Sequence, residues 1–288
     1  MPSPDAAVML AWERRGRNRA VLRRTGIAAG TAAAAVVAAT VLVMLLGVTP
    51  IGERAVGEPR TTSPPAGTTT APTTPPFPPE LAGKDVKRIP TSRKVVALTF
   101  DAGGNGGGTT SILDTLDRTG VPAAFFLTGA FAQGAPDAAR AIVNSGHRIG
   151  NHSETHPEFS KLTNAEIGAE VAFAERTLGD LGADTRPLFR FPYGDRNDRA
   201  IRAVNDVGYL TVGWTVDTAG WQGPSAGATK EKAVRRVLDT LRPGQIVLAH
   251  VGAHPSDGST IDADALPTII REVRERGYRF VGLDMLLS

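Results

Sequence analysis

Val95-Val96-Ala97-Leu98-Thr99-Phe100, followed by Asp101 and the glycine run Gly103-Gly104-Asn105-Gly106-Gly107-Gly108, decides how the chain is read. An uncharged run rich in apolar residues is a short strand buried on both faces, which is the habit of parallel sheets. A helical pattern through Ile112, Leu113 and Leu116 follows, then a second strand, Ala124-Phe125-Phe126-Leu127, and a helix opened by Pro136. Further on, a strand-like His147-Arg148-Ile149-Gly150 precedes a capping box, Thr163-Asn164-Ala165-Glu166, that starts an amphipathic helix to about Leu181. The remaining alternation predicts strands at Leu188–Phe191, Tyr209–Val216, Ile246–Ala249 and Tyr278–Leu283, with helices at Arg199–Val207, Lys230–Leu241 and Thr268–Arg276. Seven βα-type repetitions in about 200 residues imply an α/β fold with a parallel sheet, most economically a distorted (β/α)7-type barrel. An open doubly wound sheet is the rival.

Polar residues gather just after these strands. Asp101 follows the first, His152 and His156 the third, Arg190 and Tyr193 the fourth, Asp217 the fifth and His250 the sixth. In parallel α/β folds the C-terminal strand ends form one rim, so residues distant in sequence are expected to converge there. The chain has five histidines. Two of them, in Asn151-His152-Ser153-Glu154-Thr155-His156, have the spacing that brings two imidazoles to one metal, in a helical turn or a tight loop. An ordinary surface or core pair has the same spacing. His147 reads as structural, and His254, before Pro255, as a loop residue. The glycine run lacks the Lys-Ser/Thr of a phosphate cradle and reads as a loop that lets backbone approach a ligand.

Taken in order, these segments resemble the polysaccharide deacetylase family, carbohydrate esterases that share the NodB homology domain. The resemblance covers about residues 88–288. Thr99-Phe100-Asp101 is similar to the first motif and His152-Ser153-x-x-His156 to the second. Arg190-Phe191-Pro192-Tyr193-Gly194 is similar to the third, Trp214-x-x-Asp217 with Trp221 to the fourth, and Leu248-Ala249-His250 to the fifth.

The resemblance implies hydrolysis of an acetamide on a glycan, a reaction that needs an activated water, a polarised carbonyl and a proton for the leaving amine. A divalent metal, zinc foremost, held by His152, His156 and Asp101 would supply the first two needs. Asp101 would take the water proton, with Arg190 keeping it ionised and oriented. The backbone N–H of Tyr193 would stabilise the oxyanion. His250 would be the general acid, with Asp217 keeping it protonated. Trp214 and Trp221 would form a sugar-stacking wall or a seat beneath His250. Two positions depart from the pattern. Ala102 stands where the family has a second, metal-binding aspartate, so that Asn105 or waters would complete the coordination, and Gly220 stands where an aspartate precedes the tryptophan.

Outside the catalytic region the chain is different in kind. A pI of 9.4 suggests a polyanion binder. Yet residues 1–57 hold seven arginines and three acids, a balance of +4 against a total of +3, leaving about −1 for the rest. No nucleic-acid footprint remains on the folded part. Residues 1–25 read as a basic cytoplasmic segment and 26–48 as a transmembrane signal-anchor helix of roughly 34 Å. A cleaved signal peptide is the competing reading. Residues 49–87 read as a disordered Pro/Thr-rich linker. The absence of cysteine excludes a disulfide scaffold and thiolate ligands. The expectation is a single-pass cell-membrane protein whose extracytoplasmic domain acts on cell-wall peptidoglycan. A glycan-binding pseudoenzyme and an O-acetyl polysaccharide esterase are the rivals.

Overall fold

The computed structural model describes residues 76–288. The expected cytoplasmic segment and transmembrane helix lie outside the described residues, as does most of the linker. Among the described residues no helix is long and apolar enough to cross a membrane.

Among the described residues nine parallel strands form one sheet, an open sheet curled into a distorted half-barrel. They are β1 (Asp85–Val86), β2 (Val95–Ala102), β3 (Ala123–Leu127), β4 (Arg148–Asn151), β5 (Leu188–Phe189), β6 (Leu210–Val212), β7 (Val216–Asp217), β8 (Gln245–His250) and β9 (Arg279–Phe280). Their order is β1-β6-β5-β4-β3-β2-β8-β7, with β9 added to the start of β2. Among the described residues seven α-helices cover the outside: α1 (Thr109–Thr119), α2 (Gly129–Gly134), α3 (Pro136–Val143), α4 (Asn164–Gly179), α5 (Asp198–Asp206), α6 (Lys230–Asp239) and α7 (Ile261–Glu275).

The central strand shows how the site is set. All eight residues of β2 are buried, and strand alternation sorts them into two rows. Val96, Leu98, Phe100 and Ala102 face the helices, in one cluster with Ile112, Phe131, Val247 and Leu266. The other row points into the curl, where Ala97 joins Ala124, Phe126, Leu188, Leu210 and Ile246. Thr99 and Asp101 continue this inward row. Apolar packing thus plugs the floor of the curl and leaves the carboxylate at its mouth.

Several elements differ from expectation. The packed unit begins upstream of residue 88: Phe77, Leu81 and Val86 are buried in the inner cluster, and β1 pairs with β6. The single strand expected at Tyr209–Val216 is two strands far apart in the sheet order, β6 beside the edge strand β1 and β7 at the other edge. Between them the Gly213 N–H donates to the Val86 carbonyl, while the Thr215 N–H donates to Ile246. Residues 213–215 therefore reach both edges of the curl. Gly213 suits this crossing, because a Cβ there would lie 2.7 Å from the Asp85 carboxylate. Helix α7 starts at Ile261, not Thr268, and carries Pro267 inside it. The lost hydrogen bond is offset by an inner face of Ile261, Ala265, Leu266, Ile269, Ile270 and Val273, all buried. The final strand shrinks to Arg279–Phe280. The capping box at α4 forms as expected, Thr163 accepting from the Glu166 N–H and Glu166 from the Thr163 N–H.

Candidate active site

Asp101, His152, Arg190, Asp217 and His250 lie at or just after the C-terminal ends of β2, β4, β5, β7 and β8. With Tyr193, Trp214 and Trp221, all of these except the fully buried Arg190 line one cleft of about 680 Å³. Sheet register does part of the work, since Asp101 and His250 are direct partners across β2 and β8.

Arg190 is fully buried and its guanidinium is fully engaged. Nη1 donates to Asp101 Oδ1 at 2.8 Å and to Thr99 Oγ1 at 2.9 Å; Nε donates to the Val212 carbonyl and Nη2 to Gly213. The guanidinium carbon also sits 4.1 Å from the Phe126 ring centroid. Burial alone would raise the Asp101 pKa, but Arg190, His152 and His250 together hold it below the usual carboxylate value. The carboxylate is ionised and ready to accept a proton.

The histidine pair sits on a tight loop after β4, not on a helix. Ser153 and His156 both take positive φ, 70° and 61°, which costs about 1 kcal/mol or more for each non-glycine residue. Hydrogen bonds from the Ser153 N–H to Asn151 Oδ1 and from the His156 N–H to Ser153 Oγ hold the loop. Asn151 is itself anchored by donating to the Val171 carbonyl on α4. The result is His152 Nε2 facing His156 Nε2 at 3.1 Å, with Asp101 Oδ2 3.5 Å from His152 Nε2.

His152 Nδ1 lies 2.8 Å from the Arg190 carbonyl, which can only accept, so Nδ1 carries the proton and Nε2 presents a lone pair. Burial foremost drives the His152 pKa down to about 4, so the ring is neutral at physiological pH. A neutral imidazole fixed through its far nitrogen by a carbonyl is the arrangement of a metal ligand. Two nitrogens on one tetrahedral zinc stand about 3.3 Å apart, close to the separation here. The two imidazoles therefore fit a divalent cation. Among the described residues no group of three His, Asp or Glu side chains is disposed around one point. Ala102 belongs to the outward row and brings no donor. Asn105 brings none either: its Oδ1 accepts from the Gly107 and Ala253 N–H groups and its Nδ2 donates to the Ala253 carbonyl. The glycine run is thereby tied to the loop after β8.

On the opposite wall His250 has a partner that no motif pointed to. Asp262 Oδ2 accepts from the His250 backbone N–H at 2.8 Å and lies 3.3 Å from its Nδ1. Burial works against the charged ring, but Asp262, then Asp217 and Asp101, outweigh it and raise the His250 pKa. Asp217 itself accepts from Trp221 Nε1 at 3.0 Å and from the Ala219 N–H at 2.7 Å. Burial raises its pKa despite these bonds. Trp221 stands edge-on to His250, ring centroids 6.2 Å apart, as a seat for that ring. Asp262 escaped notice because an acid in the first turn of a helix is ordinary there. The expected start of α7 at Thr268 also left Asp262 outside any expected element. Arg236, donating from Nε to the Asp217 carbonyl, also lines the cleft and was missed.

Tyr193 occupies a turn, Pro192–Gly194, at φ 57°, with its ring edge-on to His156 at 4.4 Å. Trp214 packs over Gly194, where a Cβ would lie 2.8 Å from the indole. His147 stacks on Phe125, 5.6 Å between centroids, and His254 pairs with Asp257, both outside the cleft lining.

The polysaccharide deacetylase family matches residues 88–212. The peptidoglycan-N-acetylglucosamine deacetylase of Bacillus cereus is 34% identical over 69% of this chain and 70% of its own length. The chitooligosaccharide deacetylase of Sinorhizobium fredii is also 34% identical, over 68% of this chain and 93% of its own. Among solved structures, a family 4 carbohydrate esterase pseudoenzyme from Bacillus anthracis superposes with a TM-score of 0.65 at 28% identity, covering 72% of this chain and 70% of that one. A mutant with restored enzymatic activity gives the same TM-score at 29% identity. With a parallel half-barrel, the ordered rim residues and relatives matched along most of their length, the chain belongs to the polysaccharide deacetylase family, hydrolases within carbohydrate esterase family 4.

Proposed function

We propose that the chain is an active, metal-dependent deacetylase of N-acetylated glycan, with cell-wall peptidoglycan as its substrate. The observation that carries the reading is that Asp101, His152 and His250 line one cleft at the C-terminal ends of their strands, with the His156 imidazole 3.1 Å from that of His152. The named activities of the relatives supply the substrate class.

In this reading His152 and His156 hold the cation, zinc foremost, which when bound polarises the acetyl carbonyl and acidifies water. Asp101 accepts the proton of the attacking water, and Arg190 keeps that carboxylate ionised and aimed. The oxygen of water bonds to the acetyl carbon, and the backbone N–H of Tyr193 faces the oxyanion. As the carbon–nitrogen bond breaks, His250 gives its proton to the amine, and acetate and a glucosamine amine leave. Trp214 lines the cleft for the sugar, Trp221 supports His250, and Asp217 steadies both Trp221 and the charge on His250. A basic cytoplasmic segment, membrane anchor and Pro/Thr linker would hold the domain outside the cell beside a polymer fixed nearby.

One observation favours the rival, a glycan-binding pseudoenzyme: Ala102 faces the helices and offers no third donor. Acetate release from peptidoglycan fragments, with and without chelator, separates them. The enzyme releases acetate, loses it on chelation and regains it with added zinc. His152→Ala and His156→Ala each lose both activity and metal uptake. No release under any metal, with no metal bound, leaves the binder.

A further inference from the structure

We propose that Asp262, at the start of α7, is the positioning residue of His250, and that Gly220 is kept bare to admit it. The proposal rests on the reading of His250 as general acid, and it assigns to α7 a role in the site that none of the five motifs contains.

Three observations carry it. First, Asp262 is buried, 5% exposed, and one of its oxygens grips His250 at two points, the backbone N–H and Nδ1. Two-point contact fixes where the ring sits and how it is turned. A proton on Nδ1 facing the carboxylate leaves Nε2 on the far side of the ring, where the cleft lies. Second, a Cβ built on Gly220 would stand 2.1 Å from Asp262 Oδ1 and 2.6 Å from its Cγ. The φ of Gly220 is not in the left-handed region, so its backbone makes no demand for glycine. What requires glycine there is room for a carboxylate arriving from another element. Third, among the described residues Asp262 Oδ1 has no hydrogen-bond partner. Burying a carboxylate with one oxygen unsatisfied is unfavourable for the fold alone, which argues that the group is retained for what its other oxygen does. Asp217 does not hold the ring in this way, since both its oxygens accept from the Trp221 and Ala219 N–H groups.

The hollow beside His250 is therefore shared by two backbone positions, and either could deliver a carboxylate to it. That gives a swap test. Acetate release by the full chain is measured on a soluble N-acetylglucosamine oligomer for the wild type, Asp262→Asn, Asp262→Gly and the double variant Asp262→Gly/Gly220→Asp. Asp262→Asn, nearly isosteric, is expected to lower kcat by about 100-fold or more while KM stays within about threefold, as when a histidine loses its orienting carboxylate. The double variant is expected to regain at least about tenfold in kcat over Asp262→Gly, and Gly220→Asp alone to lose activity through the clash. In parallel, the imidazole nitrogen resonances of His250, assigned through His250→Gln, report its tautomer without need of turnover. The Nδ1–H form should dominate in the neutral ring of the wild type and be diminished in Asp262→Asn. An unchanged kcat in Asp262→Asn, or an unchanged His250 tautomer there, overturns the proposal. So does a double variant that folds like the wild type yet recovers nothing. A wild type without activity sinks the proposed function instead, and the resonances then decide the positioning role on their own.

Discussion

Arg190 shows how much one side chain does in this fold. It joins β2, β6 and the end of β5 by four polar contacts while its flat face rests on Phe126. A buried ion pair need not be strongly stabilising as a pair, but removing one member leaves the other uncompensated. Arg190→Met would leave Asp101, 7% exposed, without its cation and orphan the Val212 and Gly213 carbonyls. The expected cost is about 3–5 kcal/mol, read as a lower urea midpoint with unchanged slope. Asp101→Asn/Arg190→Met should cost less than the sum of its single variants, because the buried charge goes with its partner. A strictly additive pair, or an Arg190→Met protein as stable as the wild type, would show that the contact is incidental.

Among the elements, legibility followed how local the determining physics was. The box at Thr163–Glu166 is written in four adjacent residues, and α4 begins where they say. Thr163→Ala should therefore cost about 1 kcal/mol of stability in thermal or urea unfolding and leave acetate release intact, since the cap lies far along the chain from the contact of α4 with Asn151. A loss of activity in the folded variant would mean that the loop of the histidines depends on α4 more than its hydrogen bonds show. Buried strands such as β2 and β3 were equally legible, being apolar on both faces. What could not be read locally was set at a distance. Residues 209–216 look like one strand because all but Gly213 suit a strand. It is two because Val86 and Ile246, both distant in sequence, claim different parts of it. The start of α7 was hidden by Pro267, a helix breaker whose cost is outweighed by an apolar face that only tertiary packing reveals. Of the site, the residues on strand ends were visible from their spacing. Asp262 was not, because its importance lies wholly in facing His250 from another element.

At the scale of the whole molecule, two buried histidines with opposed shifts should shape stability against pH. His152 binds a proton in the folded state near pH 4, against the ordinary histidine value of 6.5 that the unfolded chain keeps. Below pH 6.5 the unfolded chain takes up a proton that the folded one refuses, so stability falls as pH drops and levels off once both states are protonated. At about 1.4 kcal/mol per pH unit, the full loss is up to roughly 3 kcal/mol. Asp101, whose folded pKa is depressed, acts in the same direction at lower pH, its contribution disappearing as pH falls through that value. His250 acts oppositely, because its folded pKa is raised: its contribution is complete below pH 6.5 and is lost as pH rises through the folded value. Chelator-treated protein should therefore show a dome in urea midpoint, with an acid limb between about pH 6.5 and 4 that belongs mainly to His152. His152→Ala should flatten that limb, though it lowers the plateau by the packing it removes. An acid limb equally steep in His152→Ala would assign it to other carboxylates, and would mean that the imidazole facing His156 is hydrated and charged rather than the neutral, lone-pair donor that a cation needs.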